Sequence, residues 1–250
     1  MQTDEFMNTA CPLMGGMAGP WYFAKATSER GRELGLRTMH FYFLGRGGVL
    51  GDVEAPVVAS AFGYFKPAHV ERMWGEARAI AEPRATGRAY LECCAAFGRA
   101  RLSDLDGLDS FCDAAAVIND AADPAGLALY AGIRAEPLAD DPPGRAMQLA
   151  AVLRELRGSA HLLAVVASGL EPKEAHFIRR PDMFTQFGWE ADEAPDISDA
   201  DRAKLEAAEA LTGELLAPAF SVLDDADRQA MVGTLELMQA AIAAPEPAAP

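Results

Sequence analysis

The chain has 250 residues, half of them apolar and 24% charged, which is enough for a real hydrophobic core and unlike a disordered chain. Its 22 Lys and Arg against 37 Asp and Glu leave a net charge of −15, which argues against generic binding to nucleic acid or anionic membranes. No run reaches the ~20 apolar residues of a membrane span, and the opening MQTDEFMNTACPL lacks the basic start of a secretory signal.

Residues 1–14 read as a flexible N-terminus, and Pro20 as the start of a helix ending near Gly35. The segment Met39 to Gly45 is the one strand candidate, and by length it is equally a buried helix turn. Asp52 can cap a helix striped by Val57, Val58, Ala61, Phe62 and Phe65. Pro67 opens a helix in which Val70, Met73, Trp74, Ala77 and Ile80 share one face. Two further stripes follow, Tyr90, Leu91, Cys94, Phe97 and then Leu105, Leu108, Phe111, Cys112. The stretch Asp123 to Gly144 reads as irregular and marks a boundary between a helical domain at 15–140 and a second unit at 145–243. That unit has helices near 146–156 and 160–168 separated by a break at Gly158, and a short helix from Pro172 to Arg179. After an acidic loop, two long helices run from about Asp199 to Phe220 and from Asp224 to Ile242. The tail, 244–250, reads as disordered. The fold class is mostly α, a multi-helix protein with helix-turn-helix or winged-helix-derived elements and two long C-terminal helices.

Cys11, Cys93, Cys94 and Cys112 show no C-x-x-C spacing and read as reduced thiols of a cytoplasmic protein, with a reactive Cys93 or Cys94 as the alternative. The pairs His69–Glu71 and Glu174–His176 diverge on a helix and make no chelate, so no metal site is expected, and no motif names a cofactor.

Three groupings can carry chemistry. In HFYFLGRGGVLGD, His40 and Arg46 sit among Gly45, Gly47, Gly48 and Gly51, a pattern that cradles an anion or simply makes a tight turn with Arg46 paired to an acid. It is neither a P-loop nor a correctly spaced dinucleotide fingerprint. Trp21, Tyr22, Phe43, Phe62 and Trp74 belong to an aromatic-rich first third, able to line an apolar ligand pocket or to be core. Ala160 to Ile178 has the grammar of a helix-turn-helix, with Gly169 at the turn and Lys173, His176, Arg179 and Arg180 on the would-be recognition helix; two packed helices without a nucleic-acid role fit equally. Residues 145–180 carry a net charge of +3, while 181–250 carry −12. Arg157 and His161 are i, i+4 neighbours, suited to holding an anionic ligand or to acid–base work, or else His161 is a satisfied core histidine.

The run from His40 through Gly51 to Trp74, then L153-R-E-L-R-G-S-A-H161 through Gly169 to Gly188-Trp189, resembles the actinobacterial EvbL-like helix-turn-helix family, some of whose members occur in natural-product gene clusters. The resemblance covers about residues 15–190 and implies a helix-turn-helix ancestry but no settled activity. After Gly188-Trp189 the family pattern continues into a wing. Here an acidic stretch and two helices, similar to the dimerising arm of MarR-type regulators, replace it, which argues against DNA contact.

The expectation is therefore a dimeric, ligand-responsive regulator or accessory protein that binds a small organic molecule. Arg46, His40, Trp21, Tyr22, Phe43, Phe62 and Trp74 would form its ligand site, with Arg157 and His161 as further polar partners. The rival is an enzyme on the same scaffold, with His161 as acid–base and Arg157 and Arg46 stabilising an anion.

Overall fold

Phe6, Ala10, Met14, Met17 and Trp21 recur every three or four residues and are all buried, so the chain begins as a helix, α1 (Thr3–Tyr22). In this computed structural model, which describes residues 1–244, the expected flexible N-terminus is thus packed, and Pro12 and Pro20 lie inside α1. Burial of that apolar stripe offsets the lost helix hydrogen bonds that made Pro20 look like a start signal. The expected tail lies outside the described residues except for Ala244.

Eleven more α-helices follow: α2 (Lys25–Glu33), α3 (Thr38–Gly47), α4 (Ala55–Phe62), α5 (Pro67–Arg78), α6 (Pro83–Leu102), α7 (Leu108–Ala121), α8 (Ala128–Arg134), α9 (Pro142–Ala167), α10 (Pro172–Arg179), α11 (Asp199–Phe220) and α12 (Asp225–Ala243). There is no β-strand among the described residues, so the Met39–Gly45 segment is helical and no wing follows Trp189, where a 3-10 turn, Ala191–Glu193, stands instead. The expected start at Asp52 is displaced to α4, which follows Glu54 and has Pro56 in its first turn.

α9 organises the molecule. It is one helix of 26 residues, without the break expected at Gly158. A glycine inside a helix costs about 1 kcal/mol, a cost covered here by the burial of Leu153, Leu156, Ala160 and Ala164 on either side. Asp141 caps α9, accepting from Gly144 N at 2.9 Å. The helix is buried nearly all round its first four turns, as a central helix must be, and packs against α1, α6, α7, α8 and α11. A single core therefore extends from Phe6 to Ile242, across the boundary expected at 140–145.

The glycines of the Arg46 segment serve helix packing. A Cβ on Gly45 would lie 2.5 Å from the Tyr90 ring, and one on Gly48 would lie 2.0 Å from the Pro83 carbonyl oxygen. They let α3 and the turn after it touch α6, a use of small residues that fits the tight-turn reading of this segment and not the anion cradle.

α11 and α12 do not form a projecting arm. α11 packs on α9, and α12 on α1 and α7, so Leu205, Ala208, Met231, Leu235 and Met238 are buried within the chain. A smaller core of Ala164, Val165, Leu170, Ala175, Leu205 and Ala208 joins the end of α9 to α10 and α11. Gly169, at φ +68°, makes the turn between α9 and α10, as its position predicts.

Candidate functional site

α3, α4, the second half of α9 and α10 border a half-open cavity of about 390 Å³. On α3, Tyr42 and Arg46 are four residues apart and face the same way. α9 contributes Arg154, Glu155, Arg157 and His161 over two turns, α10 contributes His176 and Arg179, and Phe62, Tyr64, Phe65 and Phe187 supply an aromatic wall.

Two carboxylates anchor the charged side, each bracketed by two guanidiniums. Glu155, 2% exposed, accepts from Arg46 Nε at 3.0 Å and Arg46 Nη2 at 2.9 Å, pairs with Arg154, and accepts from the Tyr22 hydroxyl at 3.3 Å. Burial alone would raise its pKa; the two arginines overcome this and hold it down at about 2. Burial likewise works against the charge on Arg46, and Glu155 reverses the balance, so its pKa lies above the ordinary arginine value. The Arg46 guanidinium also lies 4.5 Å from the centre of the Phe62 ring.

Glu209, on α11, accepts from Arg157 Nη2 at 3.0 Å and from Arg179, so one carboxylate ties α9 and α10 to α11. His161 Nε2 is 3.5 Å from the same carboxylate. His161 Nδ1 lies 3.0 Å from the Thr212 hydroxyl oxygen, and that hydroxyl donates to Ala208 O at 2.6 Å, an arrangement that suits a proton on Nδ1. Burial, opposed by Glu209 and reinforced by Arg157 and Arg179, lowers the His161 pKa to about 4, and the imidazole is neutral at pH 7. Tyr64 stands between the rings of His161 and His176, and neither its hydroxyl nor His176 Nε2 has a hydrogen-bond partner among the described residues.

The cavity gathers Arg46, Phe62, Arg157, His161, His176, Arg179 and Arg180 from the groups singled out by sequence. It leaves out the others. Trp21, Phe43 and Trp74 are core, with Trp74 Nε1 donating to Val53 O at 3.0 Å. His40 is buried beside Glu76, 3.0 Å away, and Tyr22 lies beneath the floor on Glu155. The would-be DNA-reading groups are also occupied: Arg179 on Glu209, Arg180 on Asp182, Lys173 over the Trp189 ring at 4.6 Å, and His176 against Phe187 at 3.9 Å.

Glu155, Glu209, Arg154, Tyr64 and Phe187 were not picked out as site residues by the sequence. Glu155 carried a usable signal, since it is a lone acid in the apolar run from Ala146 to Leu156 and burial there demands a cationic partner. The cysteines are free, and burial pushes Cys11, Cys93 and Cys112 up to about 11 and Cys94 well above its ordinary value, against a reactive thiol. Among the described residues no cluster of His, Cys, Asp or Glu is placed to hold a metal, and no helix is long and apolar enough to cross a membrane.

Compared with known proteins, residues 13–248 match the model of a helix-turn-helix family. No curated protein and no solved structure matches.

Proposed function

The chain belongs to the helix-turn-helix family, and from that premise we propose that it binds a small organic anion, with the helix-turn-helix forming a wall of the ligand cavity instead of reading DNA. One observation carries the reading. Five arginines line a single aromatic-walled cavity, and the three carboxylates that pair with them, Glu155, Glu209 and Asp182, leave two positive charges unbalanced in a chain of net charge −15. Guanidinium forks recognise planar carboxylates, and the aromatic wall suits an organic body. The likeness to the EvbL-like branch points the same way, toward a metabolite of a natural-product pathway and a role as ligand-responsive regulator or accessory protein. The free cysteines, three of them buried and Cys93 half-buried, suit a reducing cytoplasm.

Benzoate is expected to bind, and its neutral isostere benzamide to bind at least tenfold more weakly. Arg157→Ala is expected to cost benzoate a further tenfold or more, the loss typical of a charge-assisted hydrogen bond. Calorimetric titration measures both. Trp189 is the useful fluorescence reporter, because its Nε1 donates to Tyr64 O at 3.0 Å. Equal affinity for benzoate and benzamide sinks the reading.

Contact with DNA is expected to be weak, because the cations of α10 are held by Glu209, Asp182 and the Trp189 ring. In a mobility-shift series on duplex DNA, the Arg179→Ala/Arg180→Ala double variant should behave like the parent. A steep loss of affinity with salt that this variant reduces would restore the DNA-reading role.

The enzymatic alternative needs His161 as acid–base beside Arg157 and Arg46. A neutral imidazole with a pKa of about 4, turned toward Glu209, is a poor proton donor at pH 7, and this favours binding over catalysis.

A further inference from the structure

The charged cavity continues into an apolar groove. Ala61, Leu129, Ser159 and Leu162 line both the cavity and an open groove of about 530 Å³ between α4 and α9. No charged side chain lines that groove. Its rim is made by Val57 of α4 and by Leu163 and Val166 of α9, which are 46%, 43% and 58% exposed. Ser159, Leu162, Leu163 and Val166 are spaced i, i+3, i+4 and i+7, so they form one stripe of α9. The same helix presents Arg154 and Arg157 one turn earlier. From Arg154 to Val166 is about 18 Å along the helix axis, and over that length the surface passes from guanidinium to aliphatic.

Resting on the anion-binding reading, we propose that the ligand is an amphipathic organic acid, with its carboxylate at the arginine-lined cavity and an unbranched aliphatic chain in the α4–α9 groove. The occupant follows from continuity. An apolar surface that opens from the mouth of an anion site through four shared residues extends the same molecule's binding site. Contiguous exposed aliphatic side chains without such a tenant would be costly to solubility. A polar or branched acid would fill the head site and leave Val57, Leu163 and Val166 in water.

The test is a calorimetric series of butanoate, hexanoate, octanoate and decanoate on the full chain, with benzoate as a ligand for the head site alone. Affinity is expected to rise about two- to fourfold per methylene, the lower figure corresponding to a half-open groove. Val166→Asp and Leu163→Asp change exposed positions. Each is expected to flatten the series and weaken decanoate at least tenfold, while benzoate affinity stays unchanged and reports an intact fold. Butanoate and decanoate of equal affinity, with benzoate bound, would overturn the chain-binding proposal and leave the anion site standing. Failure of every carboxylate, benzoate included, would overturn both. If Val166→Asp instead converts a dimer to a monomer in sedimentation velocity and leaves the series unchanged, the groove is a contact between copies and the proposal fails.

Discussion

Glu155→Gln is expected to destabilise the protein by about 3–5 kcal/mol, the range for breaking a buried ion pair by removing one partner. The cost does not come from the pair being strong. Glu155 is 2% exposed and is shared by Arg46, whose side chain is 13% exposed, and Arg154. Without the carboxylate, two guanidiniums would face each other across a low-dielectric floor with only neutral acceptors, the new amide oxygen and the hydroxyls of Tyr22 and Tyr42. Urea unfolding followed by circular dichroism measures the loss; for a chain of this size it corresponds to a melting point lower by roughly 6–20 °C. The double variant Arg46→Met/Glu155→Met is expected to recover part of the loss, because one of the stranded charges leaves with its partner. A loss below about 1 kcal/mol for the single change would mean that water reaches this floor freely.

That pair also shows where sequence reasoning stops. Arg46 was legible as a candidate for pairing with an acid, but its acid lies 109 positions away on α9. Periodicity identifies the face a residue occupies and is silent on what stands opposite. The local signals worked where local chemistry decides: the stripe of α5 from Val70 to Ala77, though not Ile80, which lies past the helix end and is exposed, the left-handed Gly169 before α10, and the start of α11 at Asp199, which Ser198 caps by accepting from Asp201 N. They failed where tertiary burial overrode them, at Pro20 inside α1 and Gly158 inside α9. The glycines around Arg46 failed for a further reason. A backbone kept bare for a ligand and one kept bare for the Tyr90 ring read identically in sequence. The aromatic cluster divided: Phe62 reached the cavity, while Trp21, Phe43 and Trp74 became core, because a pocket wall and a core draw on the same residues.

His161 sets the second large effect, an acid-sensitive stability. The folded chain keeps this imidazole neutral down to about pH 4, whereas in the unfolded chain it takes up a proton near the ordinary histidine value of about 6.5. Between those two values the unfolded state binds more protons, so stability must fall as the pH falls from about 6.5 toward 4, and the site contributes no slope above that window. The full shift corresponds to roughly 3 kcal/mol, less whatever solvent reaches the ring edge. His161→Asn keeps a donor toward Thr212 and removes the titration, so its unfolding free energy is expected to be markedly flatter across the window. Some slope should survive, because burial lowers His69 and His176 in the same direction. The sign of the parent's own profile separates this account from a simple salt-bridge model, and Glu209→Gln checks its cause. If protonated His161 were held by Glu209 as an ion pair, its folded pKa would lie above the ordinary value, the parent's stability would rise as the pH falls through the window, and removing the carboxylate would abolish that rise. Here Glu209 is the group that raises the His161 pKa against burial, Arg157 and Arg179. Its removal leaves the imidazole still harder to protonate in the folded state, and stability should fall further on acidification. A parent whose stability rises on acidification through this window, and which loses that rise in His161→Asn, would show that His161 is charged in the native protein.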